Sequence, residues 1–142
     1  QMLAVAADWR ELTPRPVSEV LAAPEFAHYI DGWPAPGDFG LVAEEDAPVG
    51  AAWWRHFSAA DPGYGFVDED TPEISVGLLP EARGVGTGTF VLEALISAAQ
   101  RHAIPRLSLS VEVDNPAHQL YRRPGFNDVD TVGGSVTMVL AL

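Results

Sequence analysis

Lysine and cysteine are both absent from this 142-residue chain, so its 8 basic residues are all arginine, set against 20 Asp and Glu. Without cysteine there is no disulfide, no thiolate metal site and no cysteine nucleophile. Without lysine there is no Gly-Lys-Ser/Thr ending, and a Walker phosphate loop is excluded. The formal charge of −12 speaks against a nucleic-acid partner, which would need clustered basic residues. No apolar run approaches the roughly 20 residues of a membrane span, and nothing reads as a signal peptide. No membrane partner is therefore expected, and the expected location is cytoplasmic.

What is present fits one folded domain over residues 1–142. That length can bury a core, and 47% hydrophobic residues exclude a disordered chain. Acidic groups gather at 44–46 and 68–73. The first cluster reads as solubility, and the whole field would steer a cationic amine toward the surface.

The most informative stretch is 72–95. Apolar and β-branched residues predict a strand over 73–79, with Pro80 punctuating its end. Gly84, Gly86 and Gly88 then leave a turn bare enough for a ligand to approach the backbone. An amphipathic helix from about Gly86 to Arg101 follows, and its N-terminal N–H groups favour an anion. A dinucleotide fingerprint counted from Gly84 puts Thr89 where the third glycine belongs. A glycine-rich connection without ligand is the plain alternative.

The turn Arg83-Gly84-Val85-Gly86-Thr87-Gly88 resembles the Arg/Gln-x-x-Gly-x-Gly/Ala acetyl-CoA loop of the GNAT superfamily of N-acetyltransferases. Downstream, Asn115-Pro-Ala-His-Gln-Leu-Tyr121-Arg-Arg-Pro-Gly125-Phe126 is similar to that family's Asn-x-x-Ala…Leu-Tyr-x-x-x-Gly-Phe segment. The resemblance covers about residues 73–142. It implies an α/β (α+β) three-layer domain, with helices flanking a mostly antiparallel mixed sheet that splays between two parallel strands. It further implies acetyl-CoA as co-substrate, no metal, and a small-molecule or peptide amine as acceptor. The pantetheine arm would follow the backbone of Val76, Gly77 and Leu78, and the pyrophosphate would sit on Arg83, Gly84, Val85, Gly86, Thr87, Gly88 and Thr89. The polyanion would depend on Arg83 and the loop backbone. Tyr121 occupies the family's general-acid position, with packing as its alternative role, and Asn115 is a cofactor contact as well as a helix cap.

Taken in order, residues 2–11 read as a helix, although GNAT domains usually open with a strand. That strand is either missing from this chain or the pattern departs here. Residues 13–16 break the chain, and 17–23 and 25–30 read as short helical pieces around Pro24. The turn-rich loop 31–38 follows. In the family this region walls the acceptor pocket, so Tyr29 and Trp33 are substrate candidates, with aromatic packing as the alternative. A hairpin is predicted from 39–43 and 49–57, with Trp53, Arg55 and Phe57 on one face and Trp54 and His56 on the other. His56 is either a substrate contact or a structurally bonded histidine. The long loop 59–71 reads as functional or mobile.

In the helix after the turn, Phe90, Val91, Ala94, Leu95 and Ala98 make one apolar face, expected in the core. A strand is expected over 106–114, then a short helix capped by Asn115 with Pro116 at its first position. Pro124 predicts an early helix end. A hairpin of 126–132 and 135–140 turns at Gly133-Gly134, where a homodimer could extend its sheet.

Direct acetyl transfer requires a polarised thioester carbonyl, a base for the amine and an acid for the leaving thiolate. Glu73 is the base candidate, with Glu112 and His56 as rivals and a solvated strand end as its alternative role. Two other readings compete with the enzyme. One is a non-catalytic acyl-CoA-binding domain, and the other is a nucleotide-binding module that prefers NAD or ATP.

Overall fold

The computed structural model describes residues 1–11, 13 and 15–142. The chain break expected at 13–16 includes Pro14, which lies outside the described residues. Six strands form one sheet in the order β1-β2-β3-β4-β6-β5. The chain divides into two compact units, Gln1–Arg55 with Ser75–Leu95, and His56–Ile74 with Ile96–Leu142. No helix among the described residues is long and apolar enough to cross a membrane.

The first unit opens with α1 (Met2–Ala7), which buries Leu3, Ala4 and Val5. It is shorter than expected, because residues 8–10 form a turn. α2 (Val17–Ala22) and α3 (Pro24–Ala27) follow, and Pro24 starts the second piece at its first position. There its missing N–H costs nothing. The first strand among the described residues is β1 (Phe39–Glu44), which pairs antiparallel with β2 (Pro48–Arg55), with an irregularity between Ala43 and Glu44. Ala52, Trp53, Trp54 and Arg55 are all buried, so both faces of β2 are covered and the expected alternation disappears. β2 ends at Arg55, leaving His56 exposed outside the strand.

β3 (Glu73–Leu78) leads into a 3-10 turn, Pro80–Ala82, that the sequence reading did not anticipate. The Leu79 amide donates to the Val49 carbonyl at 2.9 Å. The next helix, α4 (Thr87–Arg101), corrects one expectation about its core face. Val91, Leu92, Leu95, Ala98 and Ala99 are buried, whereas Phe90 is 69% exposed. The apolar stripe is rotated toward Leu92 and Ala99.

In the second unit, β4 (Arg106–Glu112) pairs in parallel with β3 at Glu73↔Ser108 and antiparallel with β6 (Ser135–Ala141). The parallel register is a single residue pair, the point at which a splay was expected. Ser108 is fully buried beside Leu107 and Leu109, again the mark of a strand covered on both faces. The 59–71 loop is pinned. Asp68 bonds Arg106 at 2.6 Å, the Glu69 carboxylate accepts from the Ala59 amide at 3.2 Å, and a Cβ on Gly65 would overlap the Leu109 backbone.

α5 (Ala117–Arg122) stops before Pro124, as the proline predicted. β5 (Asn127–Val132) lies at the sheet edge, is exposed throughout, and turns into β6 across Gly133, whose φ is 59°.

Candidate functional site

The glycine turn takes its shape from two left-handed residues. Gly84 has φ +71° and Gly86 φ +96°, conformations that favour glycine. A Cβ built on either would meet nothing within 4 Å, so the turn presents bare, open backbone. The Phe90 amide donates to the Gly86 carbonyl at 3.0 Å. The amides of Thr87, Gly88 and Thr89 precede that bond, in the turn where a helix has no carbonyl for its donors. Their partial positive charge adds to the helix dipole. Local sequence suffices for this arrangement, since two glycines permit the turn and α4 starts directly after it.

The Arg83 guanidinium is held by two backbone carbonyls. Its Nε donates to the Leu78 carbonyl at 3.1 Å and its Nη1 to the Trp9 carbonyl at 2.9 Å. The half-buried side chain therefore ties the loop to the end of β3 and to the turn after α1. What the loop itself offers an anion is backbone amides.

The strand before the loop is held by close backbone contacts. Gly77 is buried, and a Cβ there would overlap the Met2 carbonyl. A Cβ on Gly50 would run into the Leu78 side chain and come within 3.2 Å of the Gly77 carbonyl. Val76 and Leu78, its neighbours in β3, are half-buried.

The acceptor-region candidates sit on a loop with a buried ion pair that the sequence did not reveal. Arg55 and Asp38 meet at 3.1 Å with side chains only 9% and 3% exposed. Arg55 also donates to the His28 carbonyl at 2.9 Å and lies 5.9 Å from the Trp33 ring centre. The Asp38 carboxylate accepts from the Ala35 amide at 2.8 Å, and Trp54 Nε1 donates to the Gly37 carbonyl at 2.8 Å. Trp33 is thus anchored yet 37% exposed, while Tyr29 is buried with its ring edge-on to His28. Alternation along β2 gave no sign of the pair, because Asp38 lies in an irregular loop.

In the second unit, Glu73 is 4% exposed and is no solvated strand end. Gly63 packs so closely on its carboxylate that a Cβ would overlap Oε2. Tyr121 is 8% exposed, with its ring edge-on to Phe126 at 6.0 Å between centroids. Burial pushes its phenol up to about 12, which keeps the proton on oxygen. Asn115 Oδ1 accepts from the Ala117 amide at 2.9 Å, while Pro116 takes the N-cap position that was expected of Asn115. His56 Nδ1 lies 3.1 Å from the Glu69 carbonyl oxygen, a structural bond, and the side chain is exposed. Glu112 is half-buried at the end of β4.

The first unit thus holds Tyr29, Trp33, Val76, Gly77, Leu78 and the whole glycine loop. The second holds His56, Glu73, Asn115 and Tyr121. Among the described residues no group of three or more His, Cys, Asp or Glu is placed to hold a metal ion.

Comparison with known proteins gives this geometry its context. Residues 4–126 match the acetyltransferase (GNAT) family. Mycothiol acetyltransferase of Arthrobacter sp. (strain FB24) is 32% identical over 111 residues, 76% of this chain and 33% of that protein. The chain therefore spans about a third of the length of that relative. Ribosomal-protein-alanine N-acetyltransferase from Brucella melitensis superposes with a TM-score of 0.70 at 29% identity, covering 99% of this chain and 91% of that one. The yncA protein of Salmonella typhimurium, whose structure holds its cofactor acetyl-CoA, gives a TM-score of 0.64 at 26% identity, covering 82% and 70%. Matched by the family over most of its length, and carrying an open glycine turn ahead of α4, the chain belongs to the GNAT family of acetyltransferases.

Proposed function

We propose that this chain transfers the acetyl group of acetyl-CoA directly to a primary amine. The observation that carries the reading is the bare left-handed turn at Gly84 and Gly86, open on its outer side and followed at once by the first turn of α4. Such a turn fits a pyrophosphate, which gains backbone N–H bonds and the dipole across two glycines that carry no side chain.

In this reading acetyl-CoA supplies an acetyl group on a thioester and leaves as the thiol. Amides of Gly84, Val85, Gly86, Thr87, Gly88 and Thr89 hold the pyrophosphate, and the backbone of Val76, Gly77 and Leu78 aligns the pantetheine arm. One of those strand amides polarises the thioester oxygen. Glu73 removes the proton from the incoming amine, directly or through a water, and Tyr121 returns a proton to the departing sulfur. The bond formed is C–N, the bond broken is C–S, and no residue of the chain is acylated. The phenol of Tyr121, held protonated by burial, suits a donor. Asn115 braces the start of α5, four residues into which Tyr121 lies.

The relatives are named for a ribosomal-protein alanine and for mycothiol. Those names share no single acceptor, so the proposal extends to a small-molecule or peptide amine near Tyr29 and Trp33 and no further. The proposed location is cytoplasmic. A second reading, an acyl-CoA-binding domain without turnover, is favoured by the burial of Tyr121 against Phe126, which is also what a packing residue shows.

Calorimetric titration with acetyl-CoA, with ATP and NAD as controls, tests the cofactor. Binding of acetyl-CoA alone is expected, and its absence in the folded protein would sink the reading. Thiol release with a panel of amines then separates enzyme from binder. Tyr121→Phe should lower kcat by about a hundredfold while retaining acetyl-CoA affinity, and unchanged turnover would remove Tyr121 from the chemistry.

A further inference from the structure

On the outward side of α4 the exposed positions run Phe90, Glu93, Ser97, Gln100. Only the first is apolar, and it is 69% exposed on the helix's opening turn. Val85, on the loop just before, is also 69% exposed. The hydrogen bond from the Phe90 amide to the Gly86 carbonyl fixes Phe90 one helical turn beyond the bare part of the loop. A phenylalanine left in water at the head of a polar face gains nothing for folding. The loop between β3 and α4 carries one cation, Arg83, and its guanidinium is held by the Leu78 and Trp9 carbonyls. Beyond its amides, the loop therefore presents a ligand with two apolar side chains and open glycines.

We propose that Phe90, flanked by Val85, is the platform on which the adenine ring of acetyl-CoA stacks. This rests on the assignment of the loop to the cofactor's pyrophosphate. That pyrophosphate joins the pantetheine arm to the adenosine. With the arm along β3 and the pyrophosphate on the loop, the adenosine continues past the loop, beside which Val85 and Phe90 are the exposed large apolar side chains. An aromatic face stacks on a nucleobase through its π-system and needs no charge to do so. Apolar contact with the nucleoside then supplies affinity beyond that of the loop amides, in a loop whose one cation, Arg83, is held by two backbone carbonyls.

The test compares two ligands and three proteins by calorimetry. The ligands are acetyl-CoA and S-acetyl phosphopantetheine, which keeps the arm and one phosphate but lacks adenosine. The proteins are wild type, Phe90→Ala and Phe90→Trp. An exposed Phe tolerates either change without loss of fold, which circular dichroism confirms. Phe90→Ala should bind acetyl-CoA about tenfold more weakly and the truncated thioester as wild type does, with Phe90→Trp retaining full affinity. Unchanged acetyl-CoA binding by Phe90→Ala would overturn the inference while leaving the loop assignment intact. Equal loss for both ligands would overturn it too, as would a smaller oligomeric mass with unchanged affinity, which would assign the patch to a protein contact. Failure of the wild type to bind either ligand would overturn the loop assignment, and this inference with it.

Discussion

Arg83 Nη1 donates to the Trp9 carbonyl at 2.9 Å, a bond that spans 74 positions of sequence. With the second bond from Nε to Leu78 at 3.1 Å, it makes one guanidinium the tie between the end of β3, the glycine loop and the turn after α1. Arginine suits this because its fork presents donors in fixed directions, which a lysine ammonium does not. Arg83→Ala should raise the KM for acetyl-CoA about tenfold and lower stability by about 1–3 kcal/mol, since two carbonyls lose a charged donor. Arg83→Lys should recover part of the stability and little of the KM. Initial rates and urea melts measure both, and a wild-type KM in Arg83→Ala would show that the loop holds its shape unaided.

Gly77 has no space for a side chain. Its α-carbon faces the Met2 carbonyl so closely that a Cβ would overlap a backbone atom, which cannot rotate aside as a side chain can. Gly77→Ala should therefore push α1 off β3 and destabilise the protein by about 1–3 kcal/mol. Amide exchange should accelerate at Leu3, Ala4 and Val5, the residues that α1 buries. Unchanged exchange there would mean that α1 moves without loss.

The buried pair of Asp38 and Arg55 should be the costliest single site to break. Removing one partner leaves the other charge in a site with little water. Asp38→Ala should cost about 3–5 kcal/mol, whereas Asp38→Leu combined with Arg55→Met should cost clearly less. Chemical denaturation of the three proteins measures the difference. The single change should also loosen Trp33, seen as increased fluorescence quenching by added iodide.

Tyr121 predicts the alkaline limit. Its phenol, at 10.0 when exposed, is pushed up to about 12 by burial. The folded state holds that proton more tightly than the unfolded state does. Its contribution is therefore fully present below pH 10 and is lost as pH rises through 12. Tyr121→Phe has no phenol to ionise and should lose less stability over that window, by on the order of 2 kcal/mol. Parallel alkaline denaturation curves for the two proteins would contradict this.

Much of the loop is legible in the sequence, because its determinants are local. Gly84 and Gly86 adopt positive φ because each residue's own backbone can. Asn115 bonds an amide two residues away, and Pro124 follows Arg123, the C-cap of α5. The last hairpin followed from its turn glycines, Gly133 and Gly134. The face of α4 was legible only in part. Spacing identifies a stripe about as wide as half the helix, and adjacent residues 100° apart fall on either side of its border. Phe90 and Val91 are such a pair, and only one is buried.

By itself the sequence determined the elements around the glycine turn, the bare backbone they expose and the family to which they belong, since each depends on residues within a few positions of one another. Tertiary structure alone decided that Arg83 faces Trp9, that Met2 rests on Gly77, that Asp38 finds Arg55 and that Phe90 stays in water. Those outcomes depend on which distant segment arrives at a surface. No periodicity along the chain encodes that arrival, because it is set by packing after the elements have formed.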